Sequence, residues 1–313
     1  MTDDDRLKRY RPSPDALLDP CRDEVFKALF TNESEESRTA LRCFLTAVLH
    51  KEVKDVQLRP NEPPVLDDND KAVRFDVSCT FDDGETADVE MQGADGGHSF
   101  GVRAEYLCAR LLNSVVRKGE DWRNILKVYQ ISLLNFIFDK NDQSAVSRYR
   151  MRKDNGYLLS GIQTVIFLEL PKIDALGAVP PEDLNSEQKW CKFFLDADNP
   201  DRQEYVGKLA AEEGGIMEAQ KTLDKISSDW VLWKRELDRE VIESDRKTEL
   251  RYMQEEGLEK GLKQGIEQGI QQGIEQGTMQ AKKDTACNLK KLGVPVQTIV
   301  QATGLSETEI AGL

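Results

Sequence analysis

The residues whose types and spacing can do chemistry lie in the run VRFDVSCTF-DDG-ETADVEMQ, residues 73–92. Asp76, Asp88, Glu90 and Gln92 fall on alternate positions of its two halves. If those halves are paired strands, these side chains share a face and Asp76 comes opposite Glu90. Directly opposed residues of an antiparallel pair have Cβ atoms roughly 4.5–5.5 Å apart. Two carboxylates that close repel unless something positive lies between them. Mg²⁺ (or Mn²⁺) suits the place, because it takes one or two protein carboxylates and leaves its other positions to water and phosphate oxygens. Such an ion polarises a phosphoryl oxygen, activates a water and steadies the leaving group. Gln92 would orient the attacking water through its amide, and Asp88 is a further candidate ligand. The competing reading is a solvated hairpin face with ordinary surface acids.

The element that must position these groups is a β-hairpin. Val73, Phe75, Val77, Cys79 and Phe81 alternate with polar residues, as do Ala87, Val89 and Met91. Both halves therefore read as half-buried strands. A three-residue loop, Asp82-Asp83-Gly84, puts glycine in the left-handed position. Val77 then faces Val89, Cys79 faces Ala87 and Phe75 faces Met91. On the other face Ser78 meets Asp88 and Arg74 meets Gln92. A loop one residue longer or shorter sets Asp76 against Met91, so the apolar pattern selects the three-residue turn.

Composition narrows the chemistry. The six cysteines, Cys21, Cys43, Cys79, Cys108, Cys191 and Cys287, are scattered, and the two histidines are His50 and His98. Zinc sites need clustered Cys and His, so carboxylates are the expected metal ligands. The formal net charge of -14 counts against a nucleic-acid partner unless basic residues are grouped. No run approaches the ~20 apolar residues of a membrane span, and MTDDDRLKRY lacks the apolar stretch of a signal peptide, so a cytoplasmic location is expected.

Along the chain, residues 1–20 are polar and proline-bearing, and read as a loose arm. Asp23–Phe30 and Ser37–His50 show helical periodicity. Val56 and Leu58 suggest a first strand, and Pro60 to Asp70 a polar loop. Residues 93–98 are a glycine-rich loop, and the spacing predicts a helix over Ser99–Lys118. Asn124–Phe138 and Gln163–Leu170 are apolar and strand-like, with a second hairpin at Arg148–Ser160 turning at Asp154-Asn155-Gly156. Pro171–Pro181 is linker-like. Helical sequence follows to the end, divided as a region 176–256, a repeat at 257–280 and a small tail at 281–313.

These residues carry a resemblance. Asp76 followed by Glu90-Met91-Gln92 resembles the D…(D/E)xK signature of the PD-(D/E)xK nuclease superfamily, with Gln at the lysine position. Asp23-Glu24-Val25-Phe26-Lys27 resembles the N-terminal D-x-x-F-K box of its recombination-promoting nuclease or transposase (invertase) branch. Lys71, RFDV and VEMQ resemble the central block. Arg103 and Tyr106 resemble the R-x-x-Y that follows, Lys118–Trp122 a KGEDY box with Trp for Tyr, and Glu169-Leu170 a later "EL" box. The resemblance covers most of residues 21–170. It implies an α/β fold with a restriction-endonuclease-like core over 21–175: a central mixed sheet flanked by helices, with a helical C-terminal extension. It further implies that Asp76 and Glu90 bind metal and that Gln92 replaces the catalytic lysine; Asp23 and Asp88 are additional candidates. Glutamine carries no charge, so it cannot stabilise developing negative charge as lysine does.

DNA contacts, if made, would go to phosphates. Arg103, Arg110 and Arg117 recur at heptad spacing and would form one helical stripe. Arg148, Arg150 and Arg152 alternate along a hairpin arm and would share a face. Nothing offers a base-reading code, so low sequence specificity is expected. His98 reads as a solvated loop residue, and Trp190 and Trp230 as packing residues.

Gly257, Gly261, Gly265, Gly269, Gly273 and Gly277 recur every fourth residue, each followed by Leu or Ile for the first five. Each interior glycine costs a helix about 0.8–1 kcal/mol against alanine. Glycines also let backbones approach, so the repeat reads as a linker helix through which copies of the chain associate, or as a flexible linker. The end resembles a helix-turn-helix, with a turn at Gly304 and a capping box at Ser306 and Glu309. Its second helix carries no Lys or Arg, so docking or packing suits it better than reading DNA. Two functions follow: a Mg²⁺-dependent DNA endonuclease of low specificity serving recombination or DNA mobility, or a catalytically idle relative acting as an oligomeric binding module.

Overall fold

The computed structural model describes residues 15–62, 73–93, 99–177 and 179–313. The chain divides into two units, 1–238 and 239–313.

The first unit is built on a six-stranded mixed sheet: β1 (Val56–Leu58), β2 (Val77–Phe81), β3 (Thr86–Gln92), β4 (Val128–Leu134), β5 (Val146–Tyr149) and β6 (Gln163–Glu169). Their order is β1-β2-β3-β4-β6-β5. β3, β4 and β6 run parallel, and the remaining pairs are antiparallel. A parallel neighbour requires a crossover. Between β3 and β4 it is made by the helix α3, Ser99–Val115.

Side-chain alternation sends the sheet's two faces into two cores. Val77, Cys79, Ala87, Val89, Met91, Ile131, Leu133, Ile166 and Leu168 enter the larger one. It is closed by α1 (Asp23–Thr31), α2 (Glu35–Leu49), α5 (Ser186–Asp196), α6 (Gln203–Glu212) and α7 (Gly214–Ser227). Between them lies the short α4, Leu170–Asp174. Trp190, Phe30, Phe44 and Phe194 pack ring on ring at its centre. Gly215 makes this packing possible: a Cβ there would lie 2.2 Å from Cys43 Cβ. The smaller core joins Phe75, Val128, Leu134, Val165 and Phe167 to Phe100, Ala104, Leu107, Cys108 and Leu111 of α3.

The hairpin register is the one the sequence predicts. Val77 pairs with Val89, Ser78 with Asp88 and Cys79 with Ala87. Gly84 takes φ +83° and its amide bonds the Phe81 carbonyl at 2.9 Å, so the loop has three residues. The expected continuation to Phe75 and Met91 is not made. The ladder begins at Val77, Asp76 lies in a bend, and Phe75 crosses into the α3 core while Met91 stays in the other. The expected helix over Ser99–Lys118 also stops early, at Val115. Two β-branched valines are followed by a turn whose Gly119 takes φ +85°, which halts the helix. The second hairpin turns as expected, with Gly156 at φ +86° and a bridge between Arg152 and Leu158. The six cysteines are all free thiols.

α8 (Trp230–Lys291) carries the chain into the second unit. There the glycine repeat is helical throughout. Leu258, Leu262, Ile266, Ile270 and Ile274 are all at least 55% exposed, and a Cβ at any of the six glycines would meet nothing within 4 Å. α9 (Val296–Thr303) and α10 (Glu307–Ala311) close a small core of Ala286, Ile299, Leu305 and Ile310. Gly304 makes the turn at φ +72°, and Ser306 and Glu309 form the expected capping box. No described helix is long and apolar enough to cross a membrane.

Candidate active site

The α3-facing side of the sheet is polar where β3 meets β4. Asp88 pairs with Gln130 and Glu90 with Ser132 across the parallel ladder, and all four are completely buried. Gln130 Nε2 donates to Asp88 Oδ2 at 2.9 Å. Asp88 Oδ1, Glu90 Oε1, Gln130 Oε1 and Ser132 Oγ have no hydrogen-bond partner among the described residues. Buried polar atoms are almost always partnered, so these four atoms along the seam could take hydrogen bonds from water or contact an ion.

At the open end of this seam the hairpin presents Asp76, Glu90 and Gln92. Gln92 Nε2 donates to Glu90 Oε2 at 3.2 Å. From α3, Arg103 donates to Gln92 Oε1 at 3.3 Å and stands 3.9 Å from Glu90 Oε1. From α1, the Lys27 ammonium lies 2.9 Å from Asp76 Oδ1 and 2.8 Å from Asp23 Oδ1. Five chain segments thus converge on two carboxylates: α1, the bend at Asp76, β3, β4 and α3.

The electrostatics follow from burial. Glu90 is pushed up to about 8, first by burial and then by the charge of Asp76, with Arg103 pulling the other way. Asp76 rises to about 6 through burial and the nearby Asp23. Its ion pair with Lys27 would normally lower a carboxyl, but burial and the second carboxylate outweigh it. Asp88 is held well above the usual carboxylate range by burial and by Glu90. Lys27 is raised: burial pulls it down, and the bonds to Asp23 and Asp76 more than offset this. A cluster of acids whose pKa values are raised by burial and mutual repulsion is one that a bound cation would stabilise in the charged form.

The residues fit a divalent metal on this observation. Glu90 Oε1 is a buried carboxylate oxygen that accepts no hydrogen bond among the described residues and has only the Arg103 guanidinium 3.9 Å away, and hard oxygen donors suit Mg²⁺ or Mn²⁺. No group of three or more His, Cys, Asp or Glu ligands converges among the described residues. A bound ion would therefore rely on water and substrate oxygens for most of its shell.

A family model described as PD-(D/E)XK nuclease family transposase matches residues 20–253. The chain belongs to this family. Comparison with curated proteins and with solved structures gives no match. The mixed sheet flanked by helices is the restriction-endonuclease-like α/β fold of the PD-(D/E)XK nucleases, and membership supports a nuclease-related function. Nucleases of this superfamily generally use divalent metals. The family match runs past β6 through α5, α6 and α7.

Several of the family-like boxes have a structural explanation. Glu169 of the "EL" box is completely buried. Its carboxylate accepts from the Phe138 and Asp139 amides at 2.7 and 3.3 Å and pairs with Lys172 at 2.8 Å. It ties β6 to the chain following β4. Asp23 and Lys27 stand one helical turn apart on α1, as the box spacing requires. Trp190 is fully buried. His98 and Lys71 lie outside the described residues.

The arginines separate. Arg103 reaches the site. Arg110 lies half-buried on α3, but Arg117 is beyond the end of that helix, so the heptad stripe is not completed. Arg148 turns inward, bonding the Val48 carbonyl at 2.7 Å and pairing with Glu187. Arg150 bonds Thr164 Oγ1 at 3.2 Å, and Arg152 the Gly156 carbonyl at 2.6 Å. A cavity of about 800 Å³ between α3 and β5 is lined by Tyr106, Tyr149, Arg150 and Arg152 among others. None of the site carboxylates lines it.

Proposed function

We propose that the protein is a metal-dependent DNA endonuclease that hydrolyses phosphodiesters with low sequence specificity, in the service of recombination or DNA mobility. Asp76 and Glu90 hold the metal, Mg²⁺ or Mn²⁺, and Gln92 orients the attacking water. The observation that carries this reading is Glu90 Oε1, a buried carboxylate oxygen with no hydrogen-bond partner beside Asp76. The metal would supply Lewis acidity toward the phosphoryl group and a water of lowered pKa. The chain's own residues do the rest. The Gln92 amide, held by Glu90 and Arg103, offers a fixed polar contact. Arg103 presents a guanidinium at the rim to phosphate oxygens. In the reaction a water oxygen bonds to phosphorus, a P–O ester bond breaks, the water loses a proton to solvent, and the departing oxygen gains one.

Supercoiled plasmid incubated with the protein and Mg²⁺ or Mn²⁺ tests this. Nicking and linearisation are expected from the wild type and not from Asp76→Ala or Glu90→Ala. Cleavage that persists in both variants removes the site assignment.

A second reading, a catalytically idle relative working as an oligomeric module, is favoured by two observations. Gln92 is uncharged, and the Leu and Ile ladder of α8 is exposed over its whole length. Absence of cleavage with every divalent metal would select it.

A further inference from the structure

In the resembled motif the residue two positions after Glu90 is a lysine, and here it is Gln92. The carboxylate pair is nevertheless not without an ammonium group. Lys27 brings one from α1, a helix that precedes the hairpin in the chain and packs against β2 and β3. Val25, Phe26, Leu29 and Phe30 are buried and fix that helix against the sheet. Asp23, one turn earlier, holds the ammonium at 2.8 Å while Asp76 Oδ1 receives it at 2.9 Å. The side chain is partly buried, with 22% exposure, and held by two ion pairs. Two of its three N–H groups are accounted for by these carboxylates, which leaves one for a phosphate oxygen or a water.

We propose that Lys27 does from α1 the electrostatic work that the motif lysine does from β3: it carries the positive charge that meets the scissile phosphate and its attacking water. This rests on the nuclease reading of the site. Asp23 is the positioning residue. It keeps the ammonium in place when Asp76 turns its charge to a metal. No proton or electron pair is transferred to or from Lys27. Its role is to offset negative charge growing on the phosphoryl oxygens, where a fixed cation in a water-poor site is worth far more than in bulk water. Gln92 is then free to be neutral, because the charge is already supplied from the opposite side of the pair.

The experiment compares the full-length wild type, Lys27→Met, and Lys27→Met combined with Gln92→Lys. Mn²⁺ binding is followed by electron paramagnetic resonance and plasmid cleavage by gel. Lys27→Met is expected to cleave at least ~100-fold more slowly. It should bind Mn²⁺ as tightly as the wild type or tighter by roughly 3–10-fold, because a competing cation has left Asp76. Adding Gln92→Lys is expected to restore at least ~10-fold of the loss, by returning a lysine to the motif position. Cleavage by Lys27→Met at the wild-type rate overturns the proposal and leaves the nuclease reading standing. Loss of cleavage together with weakened Mn²⁺ binding also overturns it, since Lys27 would then only hold Asp76 in place. A wild type that cleaves with no metal overturns both. If Lys27→Met does not fold, Lys27→Gln and Lys27→Arg replace it, with the arginine variant expected to keep more activity than the glutamine variant.

Discussion

Arg103 donates to Gln92 Oε1 at 3.3 Å, so a cation from α3 touches the uncharged residue that stands at the motif's lysine position. The same guanidinium lies 3.9 Å from Glu90 Oε1 and is 54% exposed. It can therefore meet a phosphate without leaving the site. Arg103→Ala is expected to weaken duplex binding at every sequence alike and to reduce the slope of log K against log salt by about 1. Fluorescence anisotropy over a salt series, with Ca²⁺ in place of Mg²⁺, measures it. An unchanged slope would remove Arg103 from the phosphate contacts.

The buried acids predict an unusual pH dependence. Glu90 rises from 4.5 to about 8 in the folded chain, and Asp76 from 3.8 to about 6. Between those values the folded state binds more protons than the unfolded one, so stability falls as pH rises. The contribution is fully present below about 4 and lost by about 8. Without divalent metal, the thermal midpoint should drop between pH 5 and pH 8, and Glu90→Gln should flatten that drop. With Mg²⁺ or Mn²⁺ the stabilisation by metal should grow over the same interval, because the ion replaces protons. Calorimetry with and without chelator checks both signs.

Gly215 sets the closest approach of α7 to α2. An added Cβ would meet the partly buried Cys43 Cβ at 2.2 Å and the fully buried Trp190 Cζ2 at 3.0 Å. Gly215→Ala is expected to destabilise the protein by about 1–3 kcal/mol through overpacking, although alanine favours helix. Urea unfolding would show it, and a neutral or stabilising outcome would contradict this packing.

The α8 repeat exposes five large aliphatic side chains beside six glycines with open space above them. We expect a second copy of the chain to cover it. Leu262→Lys, Ile266→Lys and Ile270→Lys together should lower the mass seen by sedimentation and leave the far-ultraviolet helix signal of the first unit intact. A wild type that sediments as a monomer at tens of micromolar would end this idea.

The legible part of the fold was what the chain encodes locally. The hairpin register followed from alternation plus Asp82-Asp83-Gly84, and the turn at Gly304 with its Ser306 cap followed from residue type. The parts that escaped depend on distant partners. The end of the β2 ladder at Val77 arises because Phe75 finds its core under α3. The inward turn of Arg148 depends on Glu187, and the arrival of Lys27 at Asp76 on how α1 lies across the sheet. The Asp23–Lys27 spacing was a readable signal of an ion pair on one helix face, but not of its third member. Glu90 and Asp88 were expected on the polar face of a hairpin. That this face is roofed by α3, and so buried, is a tertiary fact.

The three-residue turn has a consequence for how this stretch can change. Glu90 reaches the seam and Val89 the aliphatic core only because β3 has a fixed odd–even phase relative to Gly84. A single inserted or deleted residue between Gly84 and Glu90 would swap the faces, setting a carboxylate into hydrocarbon and the valine against Ser132 after an insertion or Gln130 after a deletion. Length change here is therefore tolerable only in pairs, and the segment works as a parity lock: its spelling can drift, but its odd–even phase cannot.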